Sequence, residues 1–177
     1  DIRFIDTNGD GSIDANDKVY SGSGIPKVEA NLSFSGSYKN FDLSFQLGSA
    51  WGHKLYNVNR LYYEGMDAGR NYFRSTLNAW TPQNTGSDIP RAVLGDPNQN
   101  TRESDRFLEN GNFVRLRQLQ LGYSLPKTLA KKLFLEKCRL YVSGENLFTI
   151  TKYSGIDPEF SSSILDTGVD SFVYPFT

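Results

Sequence analysis

From Lys27 to Tyr38 apolar and polar residues take turns. Val28, Ala30, Leu32, Phe34, Gly36 and Tyr38 share one face; Glu29, Asn31, Ser33, Ser35 and Ser37 form the other, polar at every position. After Lys39-Asn40 the scheme repeats, with Phe41, Leu43, Phe45, Leu47 and Trp51 set against Asp42, Ser44, Gln46, Gly48 and Ala50. Period-two alternation of this length asks for an apolar medium on one side and a polar one on the other. About 12 residues at roughly 3.3 Å each reach about 40 Å, or about 28 Å of height at a tilt near 45°. A bilayer's hydrocarbon core is roughly 30 Å thick. The expected fold class is all-β: an antiparallel transmembrane β-barrel segment with long extracellular loops.

Composition agrees with strands and removes other classes. Aromatic residues make up 14% of the 177 positions and are mostly Phe and Tyr, which suit strands and interfacial girdles. Net charge is −1, so no basic footprint for nucleic acid exists. No apolar run reaches the length of a transmembrane helix, but a barrel needs none. The lone Cys138 has no partner for an internal disulfide and is expected to be a small hydrophobe on a strand. Asp1-Ile2-Arg3-Phe4 reads as the interior of something, and Val173-Tyr174-Pro175-Phe176-Thr177 stops as though a strand were about to begin. The expectation is a segment of a larger chain.

Four strands are expected, at about 27–38, 41–52, 112–125 and 137–148. Their connections are unequal. Two residues join the first pair, roughly sixty separate the second from the third, and a stretch after Pro126 with one or two helical turns precedes the fourth. Short turns alternating with long loops are what an outer-membrane barrel requires. The expected division is 1–26 as an extracellular loop, 27–52 as a hairpin, 53–111 as a long extracellular loop, 112–148 as two strands with a periplasmic turn, and 149–177 as a last extracellular loop. A soluble β-sandwich is the rival on pattern alone.

The third strand breaks parity. Val114 and Leu116 share one face, whereas Leu119, Leu121 and Tyr123 take the other. Either a bulge shifts the register, or Arg115 and Arg117 stand above the hydrocarbon at a barrel rim. In the fourth strand Cys138, Leu140 and Val142 oppose Arg139, Tyr141, Ser143 and Glu145, and the charged row belongs in water.

The sharpest motif is Asp6-Thr7-Asn8-Gly9-Asp10-Gly11-Ser12-Ile13-Asp14-Ala15-Asn16-Asp17. Counted from Asp6, the residues Asp6, Asn8, Asp10, Ser12, Asp14 and Asp17 occupy the ligand positions of a twelve-residue calcium loop. Gly11 sits where such a loop turns sharply, and Ile13 supplies the apolar anchor. Ser12 would act through its carbonyl. Asp17 replaces the usual Glu, so its shorter arm suits monodentate or weaker binding. The expected cofactor is a structural Ca²⁺; the competing reading is an Asx-turn surface loop.

Nothing points to catalysis. His53 lacks a Cys or second His nearby, and Gly22-Ser23-Gly24 lacks the strand-to-helix setting of a phosphate loop. Glu64 with Asp67, and Asp157 with Glu159, are loop carboxylates of ordinary frequency. Trp80-Thr81-Pro82, Tyr62-Tyr63 and Tyr72-Phe73 offer stacking surfaces for a sugar or peptide, or simply packing. The chain is expected not to be an enzyme.

Several segments in order resemble one family. They are Asp1 to Asp6 leading into the acidic loop, Tyr38-Lys39-Asn40-Phe41-Asp42-Leu43-Ser44, Trp80-Thr81-Pro82-Gln83-Asn84 with Ile89-Pro90-Arg91, and Ser104-Asp105-Arg106-Phe107-Leu108-Glu109-Asn110-Gly111. Val114-Arg115-Leu116-Arg117, Leu119-Gln120-Leu121-Gly122-Tyr123-Ser124-Leu125-Pro126, Arg139 to Phe148 and Tyr153-Ser154-Gly155-Ile156-Asp157-Pro158-Glu159 continue the set. Together they resemble the C-terminal end of the SusC/RagA-like TonB-dependent outer-membrane transporters of Bacteroidetes. That resemblance implies a plugged barrel of about 22 strands, of which this chain would hold four late strands, with Tyr174-Pro175 ahead of a missing final one. It also implies import of glycans or oligopeptides with a SusD-like surface lipoprotein as partner, in the bacterial outer membrane. Further implied partners are outer-membrane lipid, the remainder of the transporter chain, and TonB through an N-terminal region absent here. The alternative is a secreted, calcium-stabilised β-sheet module that binds carbohydrate.

Overall fold

The computed structural model describes residues 1–160 and 167–172; the Tyr174-Pro175 stretch lies outside them. Contacts divide these into two units. One holds residues 25–53 and 110–159, the other 1–24, 54–109, 160 and 167–172.

The first unit is a four-stranded antiparallel sheet. Its strands are β1 (Val28–Tyr38), β2 (Phe41–Trp51), β5 (Phe113–Ser124) and β6 (Arg139–Thr151), in the order β1-β2-β5-β6. Registers carry the sequence alternation across all four strands. Apolar residues align as Leu32–Leu47–Leu116–Phe148 and Tyr38–Phe41–Tyr123–Leu140. Polar ones align as Ser33–Gln46–Gln118–Glu145 and Ser35–Ser44–Gln120–Ser143. Cross-strand aromatic pairs reinforce the apolar rows, with Phe34 stacked on Phe45 at 5.4 Å and Phe41 tilted on Tyr123 at 4.7 Å.

The break of parity in β5 is a bulge. Leu47 and Gln46 of β2 face Leu116 and Gln118, so Arg117 is the extra residue. Opposite it, β6 is also irregular, and Asn146 adopts a positive φ of 49°. The bulge returns Leu119 and Leu121 to the face that Leu116 began. Arg115 and Arg117 do not stand free at a rim: Arg115 is only 4% exposed, and Arg117, though partly exposed, is paired with Glu159. Residues 152–159, which follow β6, return to the polar face through Asp157 and Glu159. α2 (Lys127–Lys132), directly after Pro126, supplies the short helical connection before β6.

The second unit contains β3 (Lys54–Asn57), α1 (Val58–Glu64), β4 (Leu108–Asn110) and β7 (Val169–Asp170). Its small sheet runs β4-β3-β7, with β3 and β7 parallel. Phe107 is fully buried at its centre, with Tyr56 edge-on at 6.3 Å. Burial of a ring this size contributes about 1.5–3 kcal/mol. Asn57, also buried, caps α1 by accepting from the Arg60 amide at 3.1 Å and donates to Glu109 at 3.1 Å.

The structure corrects the expected transmembrane β-barrel segment. Both sheets are open: β1 and β6 are edges of the larger sheet, β4 and β7 of the smaller, and neither closes among the described residues. A barrel needs every strand to have two neighbours. Alternation specifies a two-faced sheet and says nothing about closure, which is why the pattern misled. No helix among the described residues is long and apolar enough to cross a membrane. The apolar face is nonetheless open, with Leu32 57% and Val142 76% exposed. A contiguous apolar surface of this kind marks a site of interaction.

Candidate functional site

The acidic loop is held by its own carboxylates. Asp6 accepts from the Gly9 and Gly11 amides at 2.6 and 2.8 Å, and Asn8 from Asp10 at 3.0 Å. Asp10 accepts from Ser12 at 2.8 Å, and Asp14 caps the turn Ala15–Asp17 by accepting from Asn16 at 2.7 Å. Asp17 closes the loop, accepting from Thr7 at 2.7 Å and from Asp14 at 2.8 Å. These bonds from Asp14 and Thr7 hold its carboxyl below the usual carboxylate value. Gly9 and Gly11 take positive φ of 77° and 84°, as the sharp turn demands.

Each amide-bonded carboxylate oxygen keeps a second lone pair. The side chains are less convergent. Among the described residues no three Asp, Glu, His or Cys side chains gather as a metal-holding group.

Behind the loop lies a cavity of about 950 Å³, bordered by Phe4, Ile5, Ile13, Val19, Tyr56 and Leu108. Arg102 braces it, donating to the Ile13 carbonyl at 2.9 Å with its guanidinium 5.6 Å from the Phe4 ring centre. The hydroxyls of Tyr56 and Ser104 are shielded from solvent. Charged groups, among them Arg3, Asp14, Asp17, Lys18 and Arg106, line it beside the apolar ones.

The other sequence candidates resolve into packing. His53 is 5% exposed, and burial lowers its pKa against the opposing pull of Glu29. Asp67 pairs with Arg70 at 3.4 Å, while Glu64 faces Arg60 at 3.0 Å and Arg106 at 3.4 Å. Tyr63 packs on Phe73 and Phe172, and Tyr62 on Phe172. The Trp80 amide donates to Ile89 at 2.9 Å.

Two ion clusters escaped sequence reading. In one, Arg60 links Glu64 to Glu109, the latter at 3.2 Å, and Arg106 joins at Glu64. Burial works against the charge on both guanidiniums; two carboxylates reverse this at Arg60, but Arg106, with Arg60 as a neighbouring cation, stays below its ordinary pKa. The i, i+4 spacing of Arg60 and Glu64 was the available signal. In the other cluster Arg115 pairs with Asp157 and lies 3.4 Å from Glu159, which meets Arg117 at 2.6 Å. Those carboxylates are some forty residues downstream, so no local spacing announces the pairing.

No protein-family model matches the chain. The TonB-dependent receptor P3 of Formosa agariphila is 35% identical over 156 residues, covering 88% of this chain and 15% of the receptor. The TonB-dependent receptor SusC of Bacteroides thetaiotaomicron is 33% identical over 176 residues, 97% of this chain and 16% of SusC. Among solved structures, the RagAB peptide importer in its closed-closed state matches with a TM-score of 0.70 and 28% identity, over 94% of this chain and 19% of that one. The RagAB peptide transporter matches with a TM-score of 0.70 and 31% identity, over 83% and 16%. The chain thus spans about 15–17% of the length of the curated relatives it matches. Similarity to receptors and importers accords with the expectation that it is not an enzyme. What the similarity supports is homology to one segment of the TonB-dependent receptors of the SusC and RagA kind.

Proposed function

We propose that the chain serves within a TonB-dependent importer associated with the bacterial outer membrane, taking up oligopeptides or glycans with a SusD-like surface lipoprotein and powered through TonB. The observation that carries this reading is the similarity to receptor SusC along 97% of the chain. The TM-score of 0.70 to a peptide importer supports it further. The four-stranded sheet supplies a rigid frame, and the loop-rich unit offers surface on which a lipoprotein lid can seat. The secreted carbohydrate-binding module is disfavoured because the relatives are named as receptors.

The test is gene disruption in the source bacterium, followed by growth on defined oligopeptides or glycans as sole nutrient, with affinity purification of the tagged protein. Loss of growth on one nutrient class and recovery of a lipoprotein partner support the proposal. Unchanged growth on every nutrient, with the tagged protein soluble and alone, overturns it.

We further propose that the loop from Asp6 to Asp17 takes up Ca²⁺, with Asp6, Asn8, Asp10, Asp14 and Asp17 and the Ser12 carbonyl as the holding groups. The ion would neutralise carboxylates and stiffen the loop; it would supply no chemistry. Calorimetric titration with CaCl₂ should show saturable binding that Asp10→Ala abolishes. No heat above dilution in the wild type would reject it.

A further inference from the structure

We propose that residues 152–159 form an internal anionic strap over a two-arginine oxyanion site on the polar face of the four-stranded sheet, and that an external carboxylate or sulfate competes with the strap for that site. This does not depend on the importer reading. Arg115 lies in the row Asn31–Gly48–Arg115–Thr149, on a polar face that also carries Ser, Gln, the Asp42–Arg139 pair and Glu145. Its guanidinium meets Thr149 at 2.9 Å together with Asp157 and Glu159 of the strap.

Backbone features bring the second guanidinium alongside. Arg117 is the bulged residue of β5, and bulges re-aim side chains beside binding sites. It lies across β2 at Gly48, where an added Cβ would come within 3.0 Å of its Cζ. A bare Cα at that point lets the guanidinium lie flat on the sheet.

The strap fills this site incompletely. Arg117 Nε and Glu159 Oε2 are both shielded from solvent and make no hydrogen bond. A guanidinium offers a planar fork that a carboxylate or sulfate can engage with two oxygens, whereas the strap engages Arg117 through Nη2 alone. An incoming oxyanion replaces the Glu159 carboxylate at Arg117 and gains the idle Nε donor, while Asp157 keeps its place on Arg115.

The experiment is hydrogen exchange of the 153–159 backbone in the purified protein, measured in sodium acetate, sodium sulfate and sodium chloride at equal ionic strength. Exchange reports opening of the strap, and acetate or sulfate should accelerate it about tenfold over chloride. Arg117→Gln should erase that difference, and Glu159→Gln should lower the anion concentration needed. Amides of β1 and β2 report that the sheet is intact in each variant. Acceleration by acetate alone assigns the site to carboxylates, by sulfate alone to sulfate esters, and by both to oxyanions generally. Equal effects of all three salts would mean simple screening and would overturn the proposal, as would a difference that survives Arg117→Gln.

Discussion

Both units of this protein contain two arginines and two carboxylates in a neutral cluster, yet the clusters hold different things. In the loop-rich unit Arg60, Glu64, Arg106 and Glu109 surround the capped start of α1 and the buried Phe107, where few ladder hydrogen bonds exist. In the sheet unit Arg115, Arg117, Asp157 and Glu159 fasten one segment onto strands already joined by three full ladders. The same charges are thus integral to one unit and appended to the other. Loss of a buried ion partner leaves a charge uncompensated in both cases; what differs is how much structure the loss releases.

Glu64→Ala gives the largest expected effect. It leaves two guanidiniums facing one carboxylate, and removal of a partner from a buried pair costs about 3–5 kcal/mol. Urea denaturation followed by exchange in residues 54–109 should register this as loss of protection throughout that unit. Asp157→Ala removes a comparable local interaction, but its effect should be confined to the strap, with the denaturation midpoint of the sheet little changed. If Asp157→Ala melts the sheet as well, the appended role is wrong.

Gly24→Ala should come next. A Cβ there would lie 2.7 Å from the Thr167 carbonyl carbon and 2.9 Å from Gly168 Cα, both backbone atoms that cannot swing aside. Overpacking of this sort costs about 1–3 kcal/mol, read as a lower thermal midpoint of the loop-rich unit. Gly122→Ala is the matched control in the sheet. Its Cβ would meet the Asp42 carboxylate at 2.5 Å and Arg139 Nη2 at 2.6 Å, the ends of flexible side chains. Displacing that exposed pair should cost less than the Gly24 change.

Acid sharpens the contrast at the loop. The Asp17 carboxyl is held below its unfolded value of 3.8 by the Asp14 and Thr7 amides. Its contribution is therefore complete above pH 3.8 and is lost as pH falls through the lowered folded value. Exchange of the Thr7 and Asp14 amides should rise below that pH, and Asp17→Asn should raise it at neutral pH.

The four strands were legible because a period of two persists through β1 and β2 and constrains the register of their neighbours. The broken parity at Leu116 and Leu119 correctly offered a bulge as one of two explanations. Closure was not legible, since an alternating strand looks the same in an open sheet as in a barrel. The acidic loop was visible as a spacing, and its Gly11 turn formed, but spacing does not reveal how far carboxylates are engaged by their own amides. The ion clusters were hidden because their partners meet only through tertiary structure, as with Arg115 and Asp157.

Hydrogen exchange mapped by mass spectrometry on Glu64→Ala tests most directly whether the units are held separately. The account predicts fast exchange through residues 54–109 while 28–38, 41–51 and 113–124 keep their wild-type protection. Loss of protection in the sheet strands together with that unit would contradict it.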